Sequence, residues 1–385
     1  MKEDSLMLYL HVPFCVRKCH YCDFLSFASG DETKERYVDA LCRELVGRKQ
    51  EILGRRVSSI FFGGGTPSLL SHARIKRILD MIRRIACVAA DAEITLECNP
   101  GTATLENLKG YRAAGVNRLS IGLQSASSKE LKTLGRIHDY EAFLRTYQDA
   151  REAGFTNVSV DLMNAIPGQT MESFQETLER VLGLMPPPEH MSVYSLILEE
   201  GTKFWKWNEE GRFQGELAIP SEEQDRAMYA YTSERLEKAG LVRYEISNYA
   251  RHGFECRHNM GYWIRRDYLG LGLGAASLLS EARYQNETEL AKYLADPLAG
   301  RSKTTLTKKE QMEEFLFLGL RMCQGVGRER FAECFGVSLD EVYASVIERN
   351  VSDGLLVEDE AGIRLTERGL DLANYVCAQF LLDEV

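Results

Sequence analysis

The sequence predicts an α/β protein in which a partial (β/α)6 barrel is followed by a smaller C-terminal domain that is helical and winged-helix-like. Two observations support this prediction. Six short apolar stretches within the first 200 residues alternate with helical patterns, which is typical of a parallel sheet. Polar or glycine-rich residues follow nearly every apolar stretch, as they do on the carboxyl-terminal rim of a barrel. Six such units fit either an incomplete barrel or an open, curved sheet.

The elements of the first 200 residues follow from this alternation. Strands are predicted over residues 6–11, 57–62, 93–97, 118–121, 157–161 and 191–196. Helices are predicted over residues 33–50, 71–85, 103–114, 140–153 and 172–184. The loops that follow the strands are therefore expected to meet on one rim, where barrels build their functional sites.

The regular alternation loosens after a run of three prolines at residues 186–188. One good helical pattern, at residues 221–239, stands among loops rich in aromatic residues and arginine. These changes divide the chain into three predicted parts: a partial barrel at residues 1–200, a barrel extension at 201–305 and a helix–wing domain at 306–385.

The C-terminal part reads as a compact module that opens with a helix at residues 310–321 and contains a two-stranded wing at 354–365. Modules of this kind often bind DNA. Residues 306–385 carry 8 Lys and Arg against 16 Asp and Glu, a balance of −8, which opposes contact with phosphate. A packing or partner-binding role is therefore favoured, and no nucleic-acid partner is expected.

The composition is that of an ordinary globular protein, with 44% apolar and 27% charged residues and a net charge of −10. The apolar runs are too short to form a membrane-spanning helix. The first residues lack the apolar core of a secretory signal. Together with ten cysteines, this favours a cytoplasmic location, where thiols stay reduced and free to bind metal.

Three cysteines form the most informative motif. Cys15, Cys19 and Cys22 have the spacing C-x3-C-x2-C, which can place three thiolates around one four-iron cluster and leave the fourth iron open to a chelating ligand. Three core cysteines or a zinc site are the alternatives. Zinc usually takes four ligands, and no second cysteine pair stands nearby.

Further polar groups follow the other predicted strands. Glycines at positions 63–65 let a backbone approach a ligand closely and offer its amides, and Thr66 adds a hydroxyl. Glu97 and Asp161 each end a predicted strand, and Gln124 follows another. Taken singly, the glycine run is often a tight turn and a strand-ending glutamate is commonly solvated. Their appearance at successive strand ends favours one shared site.

The motifs together resemble the radical S-adenosylmethionine superfamily, and more closely its oxygen-independent coproporphyrinogen III oxidases and the related HemW-type haem chaperones. The resemblance covers essentially the whole chain. The residues that carry it are Tyr-Leu-His-Val-Pro-Phe-Cys-x3-Cys-x2-Cys-Asp-Phe, Gly-Gly-Gly-Thr-Pro, Glu-Cys-Asn-Pro, Ser-Ile-Gly-Leu-Gln-Ser, Leu-Gly-Arg, Val-Asp-Leu-Met and His-Asn-Met-Gly-Tyr-Trp.

The resemblance implies a 4Fe–4S cluster on Cys15, Cys19 and Cys22, with S-adenosylmethionine chelating the open iron. In that superfamily, cluster reduction cleaves the sulfonium and releases a 5′-deoxyadenosyl radical, so an electron donor such as flavodoxin or ferredoxin is expected. The residues expected to contact S-adenosylmethionine are Tyr9, Tyr21, Gly64, Gly65, Thr66, Glu97, Gln124, Arg136 and Asp161. The Arg136 fork suits a carboxylate.

One position separates the subfamilies. The oxidases usually carry a further cysteine two residues past the third, where this chain has Phe24, and they begin with a longer N-terminal segment. Both features resemble the chaperone branch, which is thought to bind haem as cargo and pass it to acceptor proteins. A porphyrinogen decarboxylase, a methyltransferase that binds two S-adenosylmethionine molecules, and a structural iron–sulfur protein remain as alternatives, so enzymatic activity stays open and no catalytic residue is assigned.

The segment from His258 to Trp263 resembles the haem-binding motif proposed for the chaperone branch. His258 is expected to supply an axial ligand to haem iron, and Tyr262 with Trp263 to stack on the porphyrin. Arginines at 257, 265 and 266 are expected to pair with its propionates. The alternative is that the histidine is structural and the two aromatic side chains fill the core.

Overall fold

The structure is a computed structural model and describes residues 5–382, so the start of the chain, on which the argument about a signal segment rests, lies outside it. Six parallel strands form its centre, and all six predicted strands are present. They are β1 (Ser5–Val12), β2 (Arg56–Gly64), β3 (Cys87–Cys98), β4 (Arg118–Gln124), β5 (Val158–Asn164) and β6 (His190–Ser195).

Helices connect these strands. They are α1 (Asp31–Gly47), α2 (Lys49–Ile52), α3 (His72–Ile85), α4 (Leu105–Ala114), α5 (Ser128–Leu134), α6 (Tyr140–Glu152) and α7 (Met171–Leu182). The short helix α5 has no counterpart among the predicted helices. Several helices begin at a side-chain cap: Thr104, Ser127 and Asp139 each accept a hydrogen bond from a backbone N–H in the first turn.

The barrel helices cover the sheet through apolar stripes. In α3 the buried residues Ile75, Ile78, Leu79 and Ile82 recur every three or four positions, so they share the helix face that packs on the sheet. They join a single apolar core with the interior residues of the central strands. The confirmed fold class is therefore α/β, with helices packed on a mainly parallel sheet.

The segment after β6 adds strands to both edges of this sheet. Its helices are α8 (Lys203–Glu209), α9 (Glu222–Lys238), α10 (Arg257–Trp263) and α11 (Leu290–Ala295). Its strands are β7 (Val242–Glu245), β8 (Asn248–Ala250), β9 (Tyr268–Leu271), β10 (Ala276–Leu279), β11 (Ala282–Gln285) and β12 (Ser302–Thr305). The order across the sheet is β12-β11-β10-β9-β1-β2-β3-β4-β5-β6-β8-β7. Since its outermost strands β12 and β7 are not paired with each other, the described sheet is open.

One of these added strands extends the parallel series. β9 pairs with β1 in parallel register, with Met7 opposite Tyr268 and Leu10 opposite Leu271. This strand is absent from the sequence-based prediction, because it is only four residues long and one of the four is Gly270. An apolar pattern this short cannot be distinguished from a loop.

The C-terminal part folds around its own core. Its helices are α12 (Lys308–Gly319), α13 (Arg328–Phe335), α14 (Leu339–Ser352), α15 (Glu367–Asp371) and α16 (Ala373–Ala378). Its strands are β13 (Val326–Gly327), β14 (Leu356–Glu358) and β15 (Gly362–Leu365), in the order β13-β15-β14. The expected two-stranded wing is β14 and β15, which pair antiparallel, and β13 is added to it.

Backbone hydrogen bonds and ion pairs join this module to the barrel extension. Ile246 N–H donates to the Arg321 carbonyl at 3.1 Å, and Cys323 N–H donates to the Tyr244 carbonyl at 3.0 Å. The Arg265 guanidinium lies 3.2 Å from the Glu314 carboxylate of α12. Within residues 5–382, no helix has the length and apolar composition needed to cross a membrane.

A buried carboxylate joins α1 to the segments that follow β9 and β11 and to α11. Glu44 is 0% exposed. Its oxygens accept hydrogen bonds from Arg48, Asn286 and Tyr293 at 2.7–2.9 Å. The backbone N–H of Gly272, just after β9, donates to it at 2.8 Å. Four donors thus compensate the desolvation of one carboxylate.

We predict that Glu44→Gln destabilises the fold by about 3 kcal/mol, because its amide NH2 would face groups that are themselves donors. Urea unfolding followed by circular dichroism measures this loss. The exposed Glu32 of the same helix provides the matched control, and Glu32→Gln should change the free energy of unfolding by less than about 0.5 kcal/mol. Equal stability of the two variants would contradict the role given to Glu44.

Candidate metal and cofactor site

A cavity of about 140 Å³ opens at the carboxyl ends of the parallel strands. It brings together eleven of the residues predicted to bind metal or cofactor. These are Cys15, Cys19, Tyr21, Cys22, Gly64, Gly65, Thr66, Glu97, Gln124, Arg136 and Asp161. Most of these residues come from the loops or ends of β1 to β4 and from the turn after α5, and Asp161 comes from within β5. They therefore meet at the rim that the parallel strand order predicts.

The cysteine loop is held against its neighbours by hydrogen bonds. Cys15 N–H donates to the Phe27 carbonyl at 3.0 Å, which closes the base of the loop. Arg17 donates to the Gly135 carbonyl at 2.8 Å. His20 Nδ1 is 2.9 Å from the Thr133 carbonyl, and its ring lies 5.0 Å from the Trp207 ring. This histidine therefore fixes the loop to α5 and α8.

Arg136 links the cysteine loop to two strand ends. Its Nη1 donates towards Cys19 Sγ at 3.7 Å, and its Nη2 donates to Asn99 Oδ1 at 2.7 Å and to the Gly122 carbonyl at 2.5 Å. The buried Nε has no hydrogen-bond partner. A buried guanidinium with an unused donor at the cavity wall fits a ligand that carries a carboxylate.

The glycines that follow β2 are required by close packing. A Cβ on Gly65 would lie 2.7 Å from the Phe14 carbonyl oxygen, and a Cβ on Gly64 would lie 2.4 Å from the His11 ring. Gly64 also has a φ of +108°, which side-chain-bearing residues rarely adopt. The backbone of β2 therefore reaches the cavity and the cysteine loop more closely than any other residue type would allow.

Two carboxyl groups face each other inside the cavity. Burial, together with the negative charge of Asp161, raises the pKa of Glu97 to about 8, although the Gly64 N–H donates to Glu97 Oε2 at 3.2 Å. Burial also raises the pKa of Asp161, against hydrogen bonds from Ser120 at 3.0 Å and Ser159 at 3.1 Å. The pair is suited to bind hydroxyl groups of a ligand, because a neutral carboxyl group both donates and accepts.

Gln124 has an uncommon backbone conformation at the end of β4. Its φ is +70°, in the left-handed region that favours glycine. Its side chain is buried, and Oε1 accepts a hydrogen bond from the Tyr194 hydroxyl of β6 at 2.9 Å. Strained non-glycine residues of this kind collect at ligand sites, where the surrounding structure holds them in place.

Two residues that organise the site are not among those predicted from the sequence. Asn99 donates to Thr66 Oγ1 at 2.8 Å and accepts from Arg136 at 2.7 Å, and Tyr194 orients Gln124. Asn99 stands in the Glu-Cys-Asn-Pro motif directly after β3, so its position at a strand end was a usable signal. Tyr194 gave none, since an aromatic residue within a strand usually packs.

The donor set fits a cluster that binds each thiolate at a separate iron. Cys15, Cys19 and Cys22 all line the cavity, and Thr66 Oγ1 lies 3.6 Å from Cys15 Sγ. Among residues 5–382, no three His, Cys, Asp or Glu side chains converge closely enough to hold a single metal ion. A four-iron cluster does not require its ligands to converge on one ion, because its cysteines bind different irons at separate corners of the cubane.

Tyr9, also predicted to contact S-adenosylmethionine, does not line the cavity. Its hydroxyl is hydrogen-bonded to His11 Nδ1 at 3.0 Å, and its ring stacks on Phe61 at a centroid distance of 6.3 Å. Burial, followed by the charge of Glu97, raises its pKa well above the usual value. Tyr9 therefore lies inside the barrel below the cavity, close to Glu97.

The predicted haem-binding histidine lies away from this cavity. His258, in α10, is 1% exposed. Its Nδ1 is hydrogen-bonded to Ser59 at 2.8 Å and its Nε2 to Tyr262 at 2.9 Å, while its backbone N–H donates to Glu93 at 3.0 Å. Burial lowers its pKa to about 3. Both ring nitrogens are thus engaged in the fold, and neither is free to bind iron in this conformation.

Helix α10 lies at the opposite end of the strands from the cysteine loop. Ser59 precedes Gly64 by five residues on β2, or about 17 Å along a strand. The helix enters the barrel closely: a Cβ on Gly261 would lie 2.1 Å from Met7 Sδ. Trp263, at the end of the helix, packs under the Arg321 guanidinium at 4.5 Å. The structure does not bring His258, Tyr262 and Trp263 to the cluster pocket.

Two known protein families match parts of this chain. Residues 9–181 match the radical SAM superfamily, and residues 306–372 match the HemN C-terminal domain. In solved structures, the chain resembles coproporphyrinogen III oxidase (HemN) from Escherichia coli, described as a radical SAM enzyme, with a TM-score of 0.84 and 28% identity over 99% of this chain and 91% of that one.

Curated relatives match along almost the entire chain. It is 38% identical to heme chaperone HemW of Bacillus subtilis (strain 168) over 97% of this chain and 98% of the relative, and 34% identical to heme chaperone HemW of Escherichia coli (strain K12) over the full length of both. It is also 34% identical to the mitochondrial radical S-adenosyl methionine domain-containing protein 1 of Danio rerio, over 98% of this chain and 87% of that protein. The chain therefore belongs to the radical SAM superfamily and, within it, to the family of the HemW heme chaperones.

Proposed function

We propose that this protein is a haem chaperone that binds haem as cargo and passes it to acceptor proteins. Its full-length similarity to two curated HemW proteins carries the proposal. Phe24 supports it, because this side chain lines the cluster cavity at the position where the related oxidases usually carry a further cysteine. It is 59% exposed.

The chain's own residues suit the two cofactors of the superfamily. Cys15, Cys19 and Cys22 would hold a 4Fe–4S cluster, and Arg136 would receive the carboxylate of S-adenosylmethionine. The carboxyl groups of Glu97 and Asp161 would bind its hydroxyl groups. When bound, these cofactors supply one-electron chemistry. Gly64 and Gly65 let the backbone itself form the wall of the pocket, and the hydrogen bonds of His20 and Arg17 to the Thr133 and Gly135 carbonyls hold the cysteine loop in place.

The proposal includes an electron donor and a cellular location. A flavodoxin or ferredoxin would reach the cluster from the rim, where Val16, Phe24 and Ile137 expose apolar surface. A cytoplasmic location is supported by the ten cysteines, none of which forms a disulfide in the part of the chain that the structure describes.

Radical catalysis is the second candidate function. The cavity that gathers eleven of the predicted site residues and the TM-score of 0.84 with coproporphyrinogen III oxidase favour it. The distance between α10 and the cluster loop speaks against a porphyrin substrate held by the His258 motif, since such a substrate would have to lie within reach of the cofactor. A methyltransferase that binds two S-adenosylmethionine molecules remains a variant of this candidate.

We predict that the reconstituted protein does not decarboxylate coproporphyrinogen III, because Phe24 stands where the oxidases usually carry their additional cysteine. Anaerobic incubation with the substrate, S-adenosylmethionine and a reductant tests this, with the E. coli oxidase as positive control and chromatography of the porphyrins as readout. Formation of protoporphyrinogen would overturn the chaperone proposal in favour of the enzyme.

We also predict that Cys19→Ser removes the 4Fe–4S absorption while the protein stays folded, because the loop lies outside the apolar core. Cys87→Ser provides the matched control, since Cys87 is an exposed cysteine on β3 and should leave the cluster unchanged. Absorption and electron paramagnetic resonance spectra after anaerobic reconstitution measure the cluster. A wild-type spectrum in Cys19→Ser would show that this ligand is wrongly assigned.

A further inference from the structure

Two adjoining cavities lie between the end of α10 and the C-terminal module. Their volumes are about 430 Å³ and 380 Å³, and Ile264, Phe315 and Arg330 line both. Volumes of this order are usual for sites that bind cofactors, roughly 300–1,000 Å³. Since the two cavities share walls, together they offer an extended space for one large ligand.

The walls combine an apolar surface with arginine. Trp263, Ile264, Phe315 and Phe335 supply the apolar part. The buried indole Nε1 of Trp263 has no hydrogen-bond partner. A surface of this kind suits a flat, conjugated ligand, which stacks on aromatic groups and buries much of its area.

Several charges of the walls are paired with one another. Asp267 is paired with Arg55 at 3.0 Å, Glu281 with Arg265 at 2.7 Å, and Asp359 with Arg364 at 2.5 Å. Those pairs neutralise three wall carboxylates.

Arg330 differs from these arginines. Its Nη2 donates to the Ile264 carbonyl at 3.2 Å, and no described carboxylate lies within 4.0 Å of its guanidinium. Glu333, exposed on α13, also lines the larger cavity, and its negative charge would oppose the binding of an anion there. Arg330 lines both cavities, so it is the residue best placed to pair with a carboxylate of a ligand that spans them.

The backbone that forms the floor of the site is strained. Arg265 follows α10 by two residues and has a φ of +53°, in the left-handed region. Its side chain is fixed by ion pairs to Glu281 and Glu314 at 2.7 and 3.2 Å. Strained residues that the surrounding structure holds in place in this way cluster at ligand-binding sites.

One wall residue can bind iron. Cys334 is an exposed cysteine of α13 that lines the larger cavity. The described residues that line the two cavities include no histidine, methionine or tyrosine, the other side chains that commonly bind haem iron. A ligand with a central iron would therefore find the cysteine sulfur of Cys334 at this place.

We propose that these two cavities form the haem-binding site, with the porphyrin packed against the end of α10, a propionate paired with Arg330, and the iron bound by Cys334. This inference rests on the proposed function as a haem chaperone and assigns its cargo site. The haem-binding motif then contributes through its last residue, Trp263, and through residues 264–266 that follow it, whereas His258 acts as a buried support for the helix.

The test is haem titration of the full-length protein with its reconstituted cluster, followed by difference absorption in the Soret region. We expect Arg330→Glu to weaken haem binding by at least about tenfold, the loss of one charge-assisted interaction, and Arg330→Lys to retain most of the affinity. The matched control is Arg349→Glu, the same charge change at an exposed position of α14 that lines neither cavity.

Iron ligation is tested separately. We expect Cys334→Ser to shift the Soret band and to remove the thiolate signature from the electron paramagnetic resonance spectrum of ferric haem, while Cys87→Ser leaves both unchanged. Iron-free protoporphyrin should bind to Cys334→Ser and to the wild type with equal affinity. Circular dichroism and the cluster spectrum of each variant show that it is folded.

The outcomes distinguish failure of the proposed function from failure of the site assignment. If the wild type shows no saturable haem binding, the proposed function fails and the cargo site fails with it. If the wild type binds haem and both Arg330→Glu and Cys334→Ser behave like their controls, the site assignment alone fails. Loss of iron ligation in His258→Gln with wild-type spectra for Cys334→Ser would likewise overturn it and would place the iron at the motif histidine.

Discussion

The buried cation Arg118 organises the interior of the barrel. Arg118, the first residue of β4, is 2% exposed, and its charge faces Glu93, Asp161 and the Cys256 thiol. Burial and this positive charge together lower the pKa values of His190 and His258, so both rings are neutral near pH 7. Glu93 in turn accepts the backbone N–H groups of Arg257 and His258 at 2.9 and 3.0 Å, which fixes the first turn of α10. A charge buried this deeply requires oppositely charged or polar partners around it.

The cofactor pocket was largely predictable because parallel strands bring their carboxyl ends to one rim. The predicted cysteines and glycines, together with Glu97 and Gln124, stand in a loop or near the end of a strand with a clear apolar pattern, so strand position brought them together. Asp161 and Tyr9 each lie three residues before the end of their strand, and only Asp161 lines the pocket. Tyr9 lies in the barrel below the pocket, where its hydroxyl is hydrogen-bonded to His11. Position along a strand therefore does not by itself decide whether an interior residue reaches the pocket.

The region after residue 200 was harder to predict, for two physical reasons. Its strands are three or four residues long, below the length at which alternation becomes informative. Its motif residues also have partners that are remote in sequence: His258 is held by Ser59 and Glu93, which lie on β2 and β3. A histidine beside two aromatic residues gives the same local pattern whether it supports a helix or binds iron, and only these distant contacts distinguish the two roles.

The placement of the cysteine loop and α10 at opposite ends of the strands has a consequence for assembly. β1 has eight residues, or about 26 Å of extended chain. A redox partner seated over one mouth of the barrel would therefore leave the other mouth uncovered. On the proposed function, a haem acceptor and an electron donor would therefore not compete for the same surface, and both could bind the protein at once.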